Sequence, residues 1–168
     1  MIELLATPTN AEHFARLMSF AREVLVVCDQ FGVTSVLDGS LAVLAYTGDP
    51  SMEIHDVDFS CPESQFPRLQ QALESPGIAC RVRPWHVLQA RRGDLKIEFG
   101  ATEHWNRGIP DRHETLKVGD VQFCLLGIDG LREQYRRGLV DTERQNDDSR
   151  NKYQAYRGKF RLLEAPKV

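Results

Sequence analysis

The chain has only four cysteines, Cys28, Cys61, Cys80 and Cys124, and no Cys-x-x-Cys pair. That spacing argues against a structural zinc site. No apolar run reaches bilayer-spanning length, so no transmembrane helix is expected. Charge of one sign is also missing: 21 Lys and Arg stand against 24 Asp and Glu, a net charge of -3. Without an overall basic field, a nucleic-acid partner is not expected. Met1-Ile2-Glu3-Leu4-Leu5 has neither a basic start nor a long apolar core. A secretory leader is therefore not expected, and a reduced cytoplasmic protein is the simplest reading. Repeats, linkers and low-complexity tracts are absent as well.

What is present fits one globular domain. At 168 residues, with 42% hydrophobic and 27% charged, the chain can bury a core of ordinary size. Thr9-Asn10 predicts a cap for a helix from Ala11 to about Phe31, because Phe14, Leu17, Met18, Ala21, Leu25 and Cys28 recur at spacings of three and four. Val33 to Leu37 predicts a β-branched strand, which Gly39-Ser40 turns into a helix from Leu41 to Tyr46. Glu53 to Ser60 predicts the next strand, and Glu63 to Glu74 a helix stopped by Ser75-Pro76-Gly77.

Strands are then expected over 78–83, 85–90 and 95–99, the last two joined by the tight turn Arg92-Gly93-Asp94. Thr102 to Arg112 reads as a polar loop. A second hairpin is expected over 114–125 around Val118-Gly119-Asp120, followed by a helix from Ile128 to Leu139. Tyr153, Tyr156, Phe160 and Leu163 predict a final amphipathic helix. The fold class is α+β: a mixed sheet flanked by helices in one domain over 1–168, its core at about 33–125 and its C-terminal helices at about 128–163.

Chemistry concentrates in three places. Gly39-Ser40 closes a strand and opens a helix, where free N–H groups receive an anion. Asp56 and Asp58 lie two apart in an alternating run with Val57 and Phe59, so both carboxylates project from one strand face. Adjacent like charges there need compensation, and a divalent cation supplies it. Glu98 alternates in the same way with Ile97 and Phe99, on the side of Asp94 and Lys96. Lys96 neutralises Glu98 in a plain surface ladder; in the functional reading Glu98 is a metal ligand or a general base. An acid-x-acid pair alone is weak, since Asp141-Thr142-Glu143 is another. The order strand, Gly-Ser, helix, strand with Asp-x-Asp, later strand with an acid is far more specific than its parts.

That ordered pattern, from Val33 to Phe99, resembles the nucleotidyltransferase superfamily with the DNA polymerase β-like fold, closest to its small aminoglycoside and lincosamide nucleotidyltransferases. The likeness rests on Gly39-Ser40 and His55-Asp56-Val57-Asp58, and less specifically on 118–121 and 131–135. It implies that Asp56, Asp58 and Glu98 are catalytic and bind Mg²⁺, two ions in all, while Gly39 and Ser40 hold the triphosphate of a nucleoside triphosphate donor. The implied reaction is Mg-dependent transfer of a nucleoside monophosphate to a hydroxyl of a small acceptor, of antibiotic type in the nearest relatives. The rival is a non-catalytic binding or regulatory protein of the same fold, for example in a toxin–antitoxin pair.

Asp38 places an anion before Gly39, and no cation follows Ser40. The phosphate charge must then be met from the C-terminal helices, where Arg136, Arg137, Arg150 and Lys152 are candidates and Lys152 is taken for the donor site. The acceptor pocket is expected between the 102–112 loop and those helices. Trp85 and Trp105 are candidates for ring stacking, with ordinary packing the plainer role. His55 shares the alternation of Val57 and is expected on the core side. His86, His104 and His113 have no metal-ligand spacing.

Overall fold

A computed structural model describes residues 1–143 and 150–164, with side-chain environments given outside 141–143 and 150–153. Eight strands form one mixed sheet in the order β1-β7-β8-β2-β3-β6-β5-β4. They are β1 (Ile2–Glu3), β2 (Val36–Asp38), β3 (Val57–Cys61), β4 (Ala79–Arg83), β5 (Val87–Arg92), β6 (Leu95–Ala101), β7 (His113–Val118) and β8 (Val121–Leu126). The helices are α1 (Ala11–Gln30), α2 (Gly39–Thr47), α3 (Phe66–Glu74), α4 (Thr102–Trp105), α5 (Ile128–Glu143) and α6 (Arg150–Glu164). Among the described residues, no helix is long and apolar enough to cross a membrane.

The expected α+β class holds. Alternation drives the central strands: Leu95, Ile97, Phe99 and Ala101 of β6 are buried, while Lys96, Glu98 and Gly100 between them are partly exposed. Phe59, on neighbouring β3, stacks on Phe99 at 5.3 Å and on Phe123 of β8 at 6.1 Å between ring centroids. These rings sit in the main core with Leu17, Phe20 and Val24 of α1 and Leu69 and Leu73 of α3. Truncating Phe59 or Phe99 to Ala should cost about 3–5 kcal/mol. One sheet face is thereby committed to apolar packing, and the polar residues of the same strands are left on the other.

Several boundaries differ from expectation for identifiable reasons. The strand expected from Glu53 begins only at Val57. The amide side chain of Asn10 takes both backbone groups of Ile54, donating to its carbonyl at 2.7 Å and accepting from its N–H at 3.1 Å. Asn10 therefore makes no side-chain cap for α1. This pinned, extended segment puts His55 outward, with its side chain 71% exposed and 3.0 Å from Glu53, so the expected core position is corrected. The strand expected over 33–37 is likewise shorter, starting at Val36. The 102–112 segment opens with α4, and β1, which pairs in parallel with β7, was not anticipated.

The C-terminal helices dock as the spacing predicts. Leu163 is buried and Tyr156 and Phe160 pack against the core; Tyr153 lies outside the described side chains. The guanidinium of Arg132 on α5 donates two hydrogen bonds to the Leu163 carbonyl, at 3.1 and 2.9 Å. They satisfy a carbonyl that the end of a helix would leave unpaired.

Candidate active site

The site is a row across four adjacent strands. Asp38 of β2 is registered with Asp58 of β3, Asp58 with Glu98 of β6, and Glu98 with Gln89 of β5. Registered partners project from the same face of a sheet, so three carboxylates stand side by side opposite the Phe59–Phe99 core. Asp56, two residues before Asp58, extends the cluster along the chain. One oxygen from each of Asp56, Asp58 and Glu98 falls within 4.8 Å of the others. Strand register thus brings together the three acids expected to converge, and adds Asp38 as a fourth acid beside them.

The electrostatics follow from enclosure and crowding. Burial raises the Asp58 carboxyl well above the usual range, and the nearby Asp56, Asp38 and Glu98 push it in the same direction while Lys96 opposes them. Asp38, enclosed at the end of β2, is pushed up to about 7 by burial, against the hydrogen bonds it receives. One donor is Gln134 of α5, whose Nε2 lies 2.9 Å from Asp38 Oδ2 and 2.6 Å from Asn106 Oδ1. Burial thus favours the neutral form of Asp38, which lessens the charge its position puts before Gly39.

Gly39 follows with φ +66, a left-handed conformation that favours glycine. A Cβ built there would overlap Asp58 Oδ2 and stand 2.9 Å from Asp58 Cβ. Gly39 is therefore both the turn into α2 and the space that Asp58 fills. Ser40 lies in the first turn of α2, and its hydroxyl accepts a hydrogen bond from Lys159 Nζ at 2.7 Å. Lys159 comes from α6, 119 residues further along the chain, and its ammonium also lies 5.9 Å from the Tyr135 ring centroid. Burial lowers its pKa, while Asp58 and Asp56 act to raise it.

The cation missing after Ser40 is thus supplied by a residue that the sequence reading did not select. Helical spacing from Tyr156 and Leu163 was the one available clue: Lys159 falls on the turn between them. The side chains of Lys152 and Arg150 lie outside those described. Arg136 and Arg137 are engaged with Glu133, at 2.6 and 3.1 Å.

Lys96 stands within the acidic cluster, 3.1 Å from Asp56 Oδ2 and 3.0 Å from Glu98 Oε1. The second oxygen of Glu98 accepts from Gln89 at 3.3 Å. Beyond Glu98 on the same strand face, Trp105 lies over Gly100, with Cδ1 3.1 Å from where a Cβ would be. Its indole is 45% exposed and meets His104 edge-on at 5.0 Å. Trp85 instead stacks under Arg83 at 4.6 Å. His86 stacks on His104 at 4.1 Å. Among the described residues, only Asp56, Asp58 and Glu98 form a cluster with metal-ligand geometry.

Three hard carboxylate donors at this spacing, each partly exposed, suit a divalent ion. Comparisons with known proteins identify the family. A family model described as aminoglycoside-2''-adenylyltransferase matches residues 21–104. No curated protein sequence matches the chain. The solution structure of the antibiotic-resistance factor ANT(2'')-Ia is similar, with a TM-score of 0.62 at 13% identity, covering 90% of this chain and 90% of that one. Its crystal structure in complex with adenylyl-2''-tobramycin gives 0.58 at 10% identity, covering 89% and 87%. The lincosamide antibiotic adenylyltransferase LnuA, solved with lincomycin bound, gives 0.57 at 13% identity, covering 95% and 98%. At such identities the structures speak for the fold, whereas the family match spans half of the sequence and includes Gly39, Ser40 and all three acids. The chain is a nucleotidyltransferase and belongs to the aminoglycoside-2''-adenylyltransferase family.

Proposed function

We propose that the protein transfers a nucleoside monophosphate from a nucleoside triphosphate to a hydroxyl of a small, antibiotic-like acceptor, with divalent metal held by Asp56, Asp58 and Glu98. The observation that carries this reading is the convergence of those carboxylates beside Gly39-Ser40. Those carboxylates would hold Mg²⁺, two ions in this reading, which would offset the negative charge of the phosphate oxygens.

The chain's own residues do the rest. Backbone N–H groups at the start of α2 face the triphosphate, aided by the positive end of the helix. Ser40 and Lys159, already joined by a hydrogen bond, offer a hydroxyl and an ammonium to its phosphate oxygens. Glu98 takes the proton of the acceptor hydroxyl, whose oxygen bonds to the α-phosphorus as the bond to the bridging oxygen breaks and pyrophosphate leaves. Gln89 orients Glu98 for that role. Trp105, exposed two residues along the strand face from Glu98, offers a flat apolar wall to an acceptor ring. The non-catalytic alternative has no observation in its favour.

The test is calorimetry with ATP in Mg²⁺ and in EDTA, followed by pyrophosphate release over a panel including tobramycin and lincomycin. Metal-dependent ATP binding and a nucleotide-mass increase on one acceptor are expected. Absence of metal-dependent binding to any nucleoside triphosphate would falsify the reading.

A further inference from the structure

Lys96 occupies an unusual place for a lysine in such a site. Its partly exposed ammonium bridges Asp56 and Glu98, at 3.1 and 3.0 Å, two of the three carboxylates that converge. Strand alternation places it on the face of Glu98, and its registered neighbour Arg91 donates to Gln89 at 2.9 Å. Gln89 in turn donates to the other oxygen of Glu98. Both oxygens of Glu98 therefore have partners within the protein. A second ammonium, on Lys159, stands at Ser40 on the neighbouring helix α2.

A divalent ion ligated by Asp56 Oδ2 and Glu98 Oε1 would share oxygens that a unit positive charge already contacts. Cations competing at such distances in a partly enclosed site repel. We propose that Lys96 is the resident counter-cation of the triad, a positioning residue that holds Asp56 and Glu98 at ligand spacing and makes the divalent ion enter with the nucleotide instead of alone. A nucleoside triphosphate carries the negative charge that allows the cleft to hold the ion together with both ammonium groups. Lys96 thus serves two ends: it offsets like-charge repulsion in the row, and it sets the metal threshold. This inference rests on the metal-binding reading above.

The test is Mn²⁺ binding to the full chain, followed by electron paramagnetic resonance and calorimetry, with and without the non-hydrolysable donor α,β-methylene-ATP. Lys96→Gln is expected to bind Mn²⁺ alone at least tenfold more tightly than wild type. Lys96→Arg, which keeps the charge, is expected to stay within twofold of wild type. With α,β-methylene-ATP present, the gap between Lys96→Gln and wild type should shrink to threefold or less. Lys96→Gln should also melt lower than wild type in EDTA and recover in Mn²⁺, which a packing defect would not do. Lys96→Met serves as the second neutral variant if Lys96→Gln folds poorly. Wild-type Mn²⁺ binding with nucleotide, but equal or weaker binding of Mn²⁺ alone by both neutral variants, overturns the role of Lys96 and leaves the metal site standing. No Mn²⁺ binding by any variant, with or without nucleotide, overturns both.

Discussion

The two halves of the cleft are built on different principles. The acidic half is made of strands: Asp38, Asp58, Glu98 and Gln89 lie in one registered row, and each side chain is aimed by backbone pairing on both sides. The cationic half is made of helices: Lys159 reaches Ser40 from α6, whose place depends on packing against α5 through Arg132, Tyr156 and Leu163. Like charges can be held together only where the backbone is over-determined, and the strands provide that. A phosphate-facing cation needs less precision but must be desolvated, and a docked helix provides that. The three carboxylates are therefore expected to be intolerant of change, and the cation to be adjustable.

The comparison can be broken most directly at the row itself. Asp58→Asn should lower nucleotide transfer by at least about a hundredfold, the scale of losing one preorganised electrostatic group. It should leave the melting temperature in EDTA equal or higher, because it removes a crowded anion. A large fall in that melting temperature would mean that Asp58 has a structural role instead. Gly39→Ala should come next. It forces a left-handed backbone on a residue with a Cβ and displaces Asp58, costing about 1–3 kcal/mol along with most of the metal-dependent ATP binding. Chemical denaturation read beside calorimetry separates the two losses.

The cationic half should yield a smaller and more selective effect. Lys159→Met keeps the apolar stem and removes the charge, so the KM for ATP should rise about tenfold, the worth of roughly 1.4 kcal/mol, with little change in the acceptor KM. Because burial lowers the Lys159 pKa, ATP affinity should also fall on the alkaline side at a lower pH than for an ordinary lysine. That limb should vanish from the pH profile of Lys159→Met.

Asp38 offers a prediction with a definite sign. Its pKa is raised by folding from 3.8 to about 7, so the folded state holds a proton that the unfolded state releases. The associated stability is full below about pH 4 and is lost as pH rises toward 7. Asp38→Asn keeps an acceptor for Gln134 without the charge. It should raise the melting temperature at pH 8 and leave it nearly unchanged at pH 4, as differential scanning calorimetry would record. The smallest expected effect is at the acceptor wall, where Trp105→Ala should raise the acceptor KM several-fold with the ATP KM unchanged. An equal rise in both would assign Trp105 to packing.

Much of the acidic half was legible because alternation is a local rule. Val57 and Phe59 must go inward, so Asp58 must go outward, and Ile97 and Phe99 do the same for Glu98. The reach of that rule ended at the strand boundary. His55 was expected inward, yet Asn10 holds the preceding segment by its backbone and turns His55 to solvent. Lys96 as the neutraliser of Glu98 is the plainer of two readings of that strand, and the two do pair; the additional bridge to Asp56 depends on the parallel pairing of β3 with β6. Helical spacing from Tyr156 and Leu163 puts Lys159 near the packed side of α6, but its hydrogen bond to Ser40 depends on how that helix docks.

By itself, the sequence determined which side chains share a strand face and where the Gly-Ser turn opens a helix, because steric alternation and the freedom of glycine act over a few residues. Only the tertiary structure decided that Asp38 joins the acidic row and that Lys96 lies between two of its members. It also decided that Lys159 is the cation on Ser40. Strand order, register and helix docking bring residues as far apart as Ser40 and Lys159 into contact, and those are settled by burying one shared core.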